Sequence, residues 1–416
     1  MSAPITAISI GGASVALDAV EWSVNVTHGR QNIAASPQPS TATITILAKT
    51  PDTMPTYSPG DQVTVDAYTT ARRFTGTLTG MTATHQGAPA GVNPLTRITV
   101  TAVGALQLLT ALTDGGAGFP EQALDTRLTT ILDGTGLTYT LNVDETSTLL
   151  ALDAAASPLL PGPSTETVIA LLSDLCETAG CTMADLPDGN LLYQSYSRRA
   201  YDYFPGTWGM QSGDYTAQTG AYQGYRVPIA LPSASVGWSP TWSKRIDNVL
   251  NDVTVSYGSA DPQLVATSTD AASITEYGTR SVYLETRFRD LVDAQARADN
   301  IITAQSQARW NLNSVDVLMD TLDAPTLALV LAIESGDRID LADLPQPAPD
   351  DTYYGVVEGW TEMYSPAGHI LTLALSDPRY SYAMAEWADV SGALAWTGVA
   401  PALAWYDAVL PADLVA

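Results

Sequence analysis

Cysteine, lysine and histidine are scarce in this 416-residue sequence, and their scarcity excludes several kinds of site. Cys176 and Cys181 are too few for a disulfide framework or for a closed zinc site of the usual type. His28, His85 and His369 stand in no metal-ligand spacing, and each lies near a predicted strand end or turn. Neither a Gly-x-Ser-x-Gly elbow nor a phosphate-binding Gly-x-x-x-x-Gly-Lys loop is present. We therefore predict no catalytic residues, no metal site and no cofactor.

Positive charge is also in short supply, since 18 basic residues face 44 acidic residues, for a formal net charge of −26. No basic stripe is available to hold phosphates, so a DNA-gripping protein is not expected, although an acidic surface suits a protein that DNA must slide past. The longest apolar run, Leu327 to Ile333, is too short to span a bilayer, and Met1 to Ile5 lacks the features of a secretory signal. We predict a soluble protein that folds in the cytoplasm without membrane insertion.

The pattern of the sequence divides the chain into four predicted segments. Residues 1–112 have an all-β pattern, because alternating runs such as Glu21 to Thr27 are separated by glycine-containing turns. Residues 113–235 are predicted to be α+β, residues 236–380 a second β domain with one helix, and residues 381–416 an extended tail. The predicted fold is therefore mainly β, with an α+β insertion between two β domains.

Two apolar periodicities predict helices in the middle segment. Pro120 is a plausible first residue of one helix, and Ser164 or Thr165 is predicted to cap the other, which Gly180 ends. Cys176 falls late on the apolar face of the second helix. It is therefore predicted to be a buried free thiol.

A pattern in the first β domain recurs in longer form in the second. The shared elements are a Gly-Asp strand start (Gly60-Asp61 and Gly336-Asp337), two glycines four residues apart (Gly76 and Gly80, Gly355 and Gly359, the latter followed by Trp360) and a closing alternating run (Ile98 to Ala102, Ile370 to Ala374). Gly-Asp turns are common, so chance similarity between two β-meanders is the alternative. Because order and spacing both agree, we favour two copies of one small β domain. The glycine pairs are predicted to lie at bulges or at close backbone approaches.

Other parts of the second β domain also have a predictable structure. Asp290 is predicted to cap a helix through about Gln305. Its predicted apolar face consists of Leu291, Ala294, Ala298, Ile301 and Ile302. The predicted strands are 249–257, 281–286, 312–319, 336–341, 354–360 and 370–375. Glu358, within one of these strands, is predicted to be a solvent-facing partner of an arginine, with a catalytic acid as the alternative.

Two stretches outside these patterns suggest contacts with other proteins. Residues 201–225, rich in tyrosine, glycine and glutamine, are predicted to form a long ordered loop or an interface arm. Trp387, Trp396 and Trp405 are spaced nine residues apart in the tail. Regularly spaced tryptophans favour docking on a partner protein, with packing on the chain's own core or stacking on sugar rings as alternatives.

Taken together, several stretches resemble the tail-hub minor tail proteins of siphophages, which are related to the baseplate hub of contractile-tailed phages. The stretches are Asn248 to Tyr257, Tyr277-Gly278-x-Arg280, the alanine-rich helix that follows, Gly336-Asp337-Arg338 and Gly355 to Gly359. In the middle segment, Leu171 to Leu175, Ala179-Gly180 and Asp188 to Tyr193 resemble the inserted domain of the hub. The resemblance covers about residues 1–380 and consists of diffuse β-meander signatures.

This resemblance implies two tube-like domains of β-barrel or β-sandwich type per chain, each with a helix, and a homotrimer at the virion tail tip. Its expected partners are the distal tail protein or tail tube, the tape-measure protein and other minor tail proteins, with DNA only in transit through the channel. Positions that face the channel are expected to be acidic or neutral, with arginines at subunit contacts. A first alternative is the hexameric distal tail protein, which normally needs one tube-like domain, so the repeat argues against it. A second is a tail-associated cell-wall hydrolase.

Overall fold

The computed structural model describes most of the predicted β and α+β regions. The described residues are 5–15, 21–32, 35–49, 57–68, 71–86, 95–114, 118–142, 149–150, 153–154, 166–194, 229–237, 241–259, 263–344 and 353–377. The stretch 201–225 and the three tail tryptophans therefore lie outside the described residues.

Strands dominate the structure, as predicted. The N-terminal strands are β1 Ile5–Ile10, β2 Ala13–Ser14, β3 Glu21–Gly29, β4 Thr41–Lys49, β5 Gln62–Ala67, β6 Ala71–Gln86 and β7 Leu95–Val103. Those of the middle segment are β8 Thr113–Asp114, β9 Gly118–Phe119, β10 Gln122–Ala123, β11 Tyr139–Asn142, β12 Leu149–Leu150, β13 Asp153–Ala154, β14 Glu166–Thr167, β15 Thr182–Asp185 and β16 Leu191–Gln194. The C-terminal strands are β17 Ile229–Leu231, β18 Thr241–Lys244, β19 Asp252–Tyr257, β20 Leu264–Thr269, β21 Ser281–Leu284, β22 Trp310–Leu318, β23 Arg338–Leu341, β24 Tyr353–Ser365 and β25 Gly368–Ser376.

Short helices are inserted between the strands, which confirms the mainly β fold with helical insertions. The α-helices are α1 Ala105–Leu108, α2 Leu124–Asp133, α3 Val168–Ala179, α4 Ala271–Tyr277, α5 Leu291–Gln305 and α6 Ala324–Leu331. Single 3-10 turns occupy Ser233–Ser235, Ile246–Asn248 and Met319–Thr321.

One large sheet of thirteen strands contains strands from both ends of the described chain. Its order is β18-β22-β25-β24-β3-β4-β7-β6-β5-β1-β2, with β23 beside β24 and β17 beside β23. Alternation places one face of each strand in a core, as in β3, where Trp22, Val24 and Val26 are buried and the residues between them are exposed. The N-terminal and C-terminal halves of the sheet cover separate apolar clusters.

The middle segment packs α2 and α3 together over the β15–β16 hairpin. Cys176 is a buried free thiol, as predicted, and burial raises its pKa far above the ordinary value. Helix α2 begins at Leu124 and not near Pro120, because Gln122–Ala123 is extended and pairs with β12. The residue that caps α3 is Thr167, whose hydroxyl accepts a hydrogen bond from the Ala170 amide, so the prediction of Ser164 or Thr165 is wrong.

Strands β19, β20 and β21 form a three-stranded sheet of their own, packed on α5. The sequence patterns did not separate this small unit from the second β domain. Ala294, Ala298 and Ile301 of α5 are buried against it, as predicted, but Leu291 is 49% exposed. Leu291 is the first residue of the helix and precedes the first buried residue, Ala294. Asp290 precedes the helix without a side-chain capping hydrogen bond, because its carboxylate binds Arg289.

Candidate assembly site: the joint between two matched β units

The N-terminal Gly-Asp motif closes a tight turn before β5. Gly60 has a φ of +99°, a conformation that favours glycine, and its amide donates to the Leu78 carbonyl at 2.9 Å. The Leu78 amide returns a hydrogen bond to the Asp61 carbonyl at 2.8 Å. The Asp61 carboxylate accepts from the Ser58 amide at 2.8 Å, as aspartates in turns commonly do.

The C-terminal Gly-Asp motif repeats this arrangement bond for bond. Gly336 has a φ of +94°, and its amide donates to the Val357 carbonyl at 2.7 Å. The Val357 amide donates to the Asp337 carbonyl at 2.8 Å, and the Asp337 carboxylate accepts from the Glu334 amide at 2.8 Å. A shared pair of residue types thus gives the same backbone and side-chain hydrogen bonds in both places.

Both glycine pairs flank a β-bulge at the same position. In the N-terminal unit the pairing of β6 with β7 shifts between Leu78 and Gly80, which makes Thr79 the extra residue. In the C-terminal unit the pairing of β24 with β25 shifts between Val357 and Gly359, which makes Glu358 the extra residue.

The first glycine of each pair lies where a side chain would collide with its own unit. A Cβ on Gly76 would meet the Val103 carbonyl and the Phe74 ring. A Cβ on Gly355 would lie 3.0 Å from the Tyr353 ring and 3.2 Å from Leu375. Close packing therefore accounts for glycine at both positions.

Strand order agrees across the two units. The N-terminal unit has the order β3-β4-β7-β6-β5, and the C-terminal unit has the order β18-β22-β25-β24-β23. We call these five-stranded sets unit 1 and unit 2. Beyond them the units differ, because β1 runs antiparallel to β5 whereas β17 runs parallel to β23.

The two units are joined edge to edge by β24 and β3. The two strands are antiparallel, and Gly359 to Tyr364 lies opposite Gly29 to Val24. We call this pairing the internal joint. A Cβ on Gly359 would lie 2.7 and 2.8 Å from the backbone oxygen and nitrogen of Arg30 and closer still to the His28 carbonyl. The backbones therefore approach too closely at this point for any side chain larger than glycine's hydrogen.

A buried ion pair crosses the internal joint. Arg73 from β6 is 1% exposed and Glu362 from β24 is fully buried, and the Arg73 Nε lies 3.0 Å from one Glu362 oxygen. The Glu362 carboxylate also accepts hydrogen bonds from the Trp360 indole, at 2.9 Å, and from the Tyr364 hydroxyl. Burial raises the pKa of a carboxyl, but the charge and hydrogen bonds of Arg73, together with the neighbouring His369, hold the pKa of Glu362 well below its usual range.

His369 completes this cluster around the Glu362 carboxylate. Its Nε2 lies 3.5 Å from the Glu362 carboxylate, and its ring stacks on Tyr364 with centroids 3.9 Å apart. Its Nδ1 lies 2.7 Å from the hydroxyl of Tyr68, the residue that directly follows β5 of unit 1. Residues of both units therefore enclose the Glu362 charge. Such an arrangement costs much free energy when one partner is removed.

A second buried ion pair lies at the start of the same joint. Arg30 donates to Glu358 at 2.7 Å, and Ser376 donates to the other Glu358 oxygen at 2.5 Å. Glu358 does pair with an arginine, but it is fully buried, so the prediction that it faces solvent is wrong. The bulge that makes Glu358 the extra residue of β24 directs it toward the chain after β3.

His28 extends the polar network into the middle segment. Its ring nitrogens lie 2.7 Å from the Ser40 hydroxyl and 2.8 Å from the Arg73 carbonyl, and burial lowers its pKa to about 4, so the ring is neutral at pH 7. The Ser40 amide donates to Asp185 at 2.7 Å, and the Leu106 amide donates to the other Asp185 oxygen at 2.7 Å. These contacts fix the middle segment against unit 1.

The described residues contain no group of three or more His, Cys, Asp or Glu side chains that could hold a metal ion. Within the same ranges, no helix combines the length and apolar character needed to cross a membrane. His85, on the exposed part of β6, binds the Thr96 hydroxyl at 2.9 Å.

The central ion pair of the joint, Arg73 with Glu362, was not predicted from the sequence, although one signal was present. Trp360, Glu362 and Tyr364 alternate along β24, so they point to the same face of the sheet. An acidic residue between two large aromatic residues on an inward face indicates a buried ion pair. Its partner, Arg73, could not be identified because it is 289 positions away in the sequence.

Comparison with known proteins adds a fold relationship. No family model matches the sequence, and no curated protein matches it. The structure is similar to the 43 kDa tail protein of prophage MuSo2 from Shewanella oneidensis, with a TM-score of 0.59 and 13% identity over 91% of this chain and 99% of that chain. It is similar to the tail protein from Neisseria meningitidis MC58 to the same degree, with a TM-score of 0.59 and 14% identity over 92% of this chain and 100% of that chain. The chain therefore shares the fold of these two tail proteins over about nine tenths of its length.

Proposed function

We propose that this chain is a structural protein of a phage tail tip. Three copies form a hub that caps the sixfold tail tube and surrounds the channel for DNA and the tape-measure protein. The observation that carries the proposal is the internal joint, where two units with one strand order lie side by side in one sheet. Three such chains present six like units, which match a sixfold tube without six subunits. The shared fold with two tail proteins supports the assignment to a tail.

Charge distribution supports a channel role. With a net charge of −26, the chain has little positive charge that could hold passing DNA. Two of its arginines, Arg30 and Arg73, are buried in ion pairs of the internal joint. Others, such as Arg287 with Asp174, bridge between segments. We propose that the channel surface is acidic or neutral and that the neighbours of the hub are the distal tail protein or tail tube and other minor tail proteins.

The two alternatives are less well supported. A hexameric distal tail ring would place twelve such units around the tube, because each chain carries two of them. Wall glycosidases use an accessible pair of carboxyl groups, and wall metallopeptidases use a metal. The fully buried acids Glu358 and Glu362 are held in ion pairs, which leaves neither available as a general acid. Release of sugar or peptide fragments from peptidoglycan by the purified chain would contradict the structural role.

Immunogold or tag labelling of assembled particles tests the proposal. We expect label at the tip of the tail, with three copies per particle by quantitative mass spectrometry. Label along the length of the tube, or six copies per particle, would contradict it.

The tryptophan tail gives a separate prediction. If Trp387, Trp396 and Trp405 dock on a neighbouring tail protein, removal of residues 381–416 should leave a folded, soluble chain with an unchanged unfolding transition. Particles assembled with the shortened chain should lack a tip component or fail to form. Loss of folding on truncation would instead assign these tryptophans to the chain's own core.

A further inference from the structure

Unit 1 has an edge equivalent to the one that β3 covers in unit 2, and none of the described strands pairs with it. In unit 2, the edge of β24 that faces away from β25 pairs first with β23 and then, from Gly359 to Tyr364, with β3. In unit 1, the corresponding edge of β6 pairs with β5 as far as Thr77. From Gly80 to Gln86, no other described strand pairs with that edge. The side chains from Thr82 to His85 are exposed there.

Strand β18 of unit 2 corresponds to β3 of unit 1, which is one of the two strands of the internal joint. It occupies in unit 2 the place that β3 occupies in unit 1, next to β22 as β3 is next to β4. One edge of β3 is covered by β24, whereas β18 ends the path of the large sheet and its outer edge has no described strand partner. Unpaired edges of this kind present rows of free amides and carbonyls that can pair with another chain.

We propose that β6 of one protomer pairs antiparallel with β18 of the next, which repeats the internal joint between chains. This inference rests on the proposed function, because it specifies the surface through which the three chains of the hub join. The occupant is a second copy of this chain, because β18 is this chain's own counterpart of the strand that fills the equivalent edge.

Matching the two units predicts the register. When the strand pairings of the two units are matched, Gly80 takes the position of Gly359, and Lys244 takes the position of Gly29. Gly80 of one chain should therefore lie opposite Lys244 of the next. By the same step along both strands, Met81 should lie opposite Ser243, as Trp360 lies opposite His28. Those two rings are 4.9 Å apart, so side chains at this step of the register lie in contact.

Space at Gly80 is consistent with this pairing. In the isolated chain, a Cβ on Gly80 would come no closer than 3.3 Å to another atom, the Thr101 hydroxyl. At Gly359 the nearest atoms belong to the partner strand of the joint. In the single chain Gly80 thus meets one side-chain atom in a tight contact and no backbone atom, and the backbone approach that excludes a side chain would arise only when β18 of a neighbour is in place.

The joint between chains lacks the buried charges of the internal joint. Ala83 stands at the position of Glu362, and Thr79 stands at the position of Glu358. Arg245 corresponds to Arg30, but in the single chain it is exposed and bridges to Asp247 at 2.6 Å. Because this joint has no buried ion pairs, it should be weaker than the internal one. The ring should therefore dissociate into folded chains before the chains themselves unfold.

Disulfide trapping at the predicted register tests the pairing. The full-length chain carrying Met81→Cys and Ser243→Cys is oxidised under native conditions and run on non-reducing gels. We expect covalent dimers and closed trimers, with nothing larger. The matched control, Thr82→Cys with Ser243→Cys, is one residue out of register, so its cysteines point to opposite faces and it should give at most about a tenth as much product. Thr27→Cys with Thr361→Cys, whose hydroxyls lie 3.3 Å apart within one chain, is the positive control and should cross-link inside the monomer.

The outcomes separate this pairing from the proposed function. Absence of cross-linking in a preparation that is trimeric by mass, with the positive control intact, would overturn the pairing and leave the hub role standing. A monomeric preparation without cross-links would contradict both. A ladder beyond the trimer would contradict a closed ring of three chains.

Discussion

Glu362→Gln should destabilise the large sheet by about 3–5 kcal/mol, the range seen when one partner of a buried ion pair is removed. The Arg73 guanidinium would remain 1% exposed and would lose its anionic partner. The pKa of Glu362 is held well below its usual range, so the wild-type side chain is charged at every pH at which the protein is handled. The measurement is urea unfolding, combined with amide hydrogen exchange of β3 and β24.

A surface ion pair of similar composition provides the control. Asp66 binds Arg72 at 2.5 Å, but both side chains are partly exposed, so Asp66→Asn should cost no more than about 1 kcal/mol. A double variant that replaces both Glu362 and Arg73 by apolar residues should recover much of the loss, because no unpaired charge remains. A small effect of Glu362→Gln, similar to that of Asp66→Asn, would mean that the ion pair does not hold the two units together.

Gly359→Ala should separate β24 from β3, at a cost at or above the upper end of the roughly 1–3 kcal/mol typical of overpacking. The added methyl group would lie 2.7 Å from the Arg30 carbonyl oxygen and 2.8 Å from the Arg30 nitrogen. These are backbone atoms of the residue that directly follows β3, and they cannot rotate away as a side chain can. Faster hydrogen exchange across Gly29 to Val24 would report the opening.

The matched variant is Gly80→Ala in unit 1. Its methyl group would lie 3.3 Å from the Thr101 hydroxyl oxygen, a tight contact with one side-chain atom that has to shift by only a few tenths of an ångström, so the free energy of unfolding of the monomer should change much less than in Gly359→Ala. If β18 of a neighbour pairs there, the same variant should block assembly. Gly355→Val should fall between these two, at about 1–3 kcal/mol, because it meets side chains and not backbone. Equal tolerance at Gly359 and Gly80 would contradict the close approach in the internal joint.

Local patterns of the sequence predicted the elements, and long-range pairing accounts for what they missed. Alternation located strands such as β3 and β25, and the glycines with φ near +95° marked equivalent turns at Gly60 and Gly336. Both signals depend on residues a few positions apart, where the backbone geometry is decided. The predicted cap at Ser164 or Thr165 and the predicted start at Pro120 were wrong because short strands precede both helices. Strand β14 pairs with β8 up to Thr167, and β10 pairs with β12 up to Ala123, so each helix begins only after its strand.

The candidate site was beyond reach for the same reason. The internal joint brings β3 together with β24, more than 300 residues later in the sequence. No pattern within either strand predicts which strand it pairs with. Glu358 shows why alternation fails at a bulge. As the extra residue of β24, it is buried in an ion pair, although its position in the sequence pattern predicted a solvent-facing side chain. The repeat itself was readable, but its edge-to-edge arrangement required the three-dimensional pairing.

Native mass spectrometry with electron cryomicroscopy of the purified chain tests the central claim most directly. Three chains of 43.8 kDa should give a closed ring of about 131 kDa, in which units 1 and 2 alternate and superpose by rotations of about 60° around the axis. The axis should be lined by acidic or neutral side chains. A ring of six chains, units that do not superpose about a common axis, or a channel lined by arginines would contradict the account.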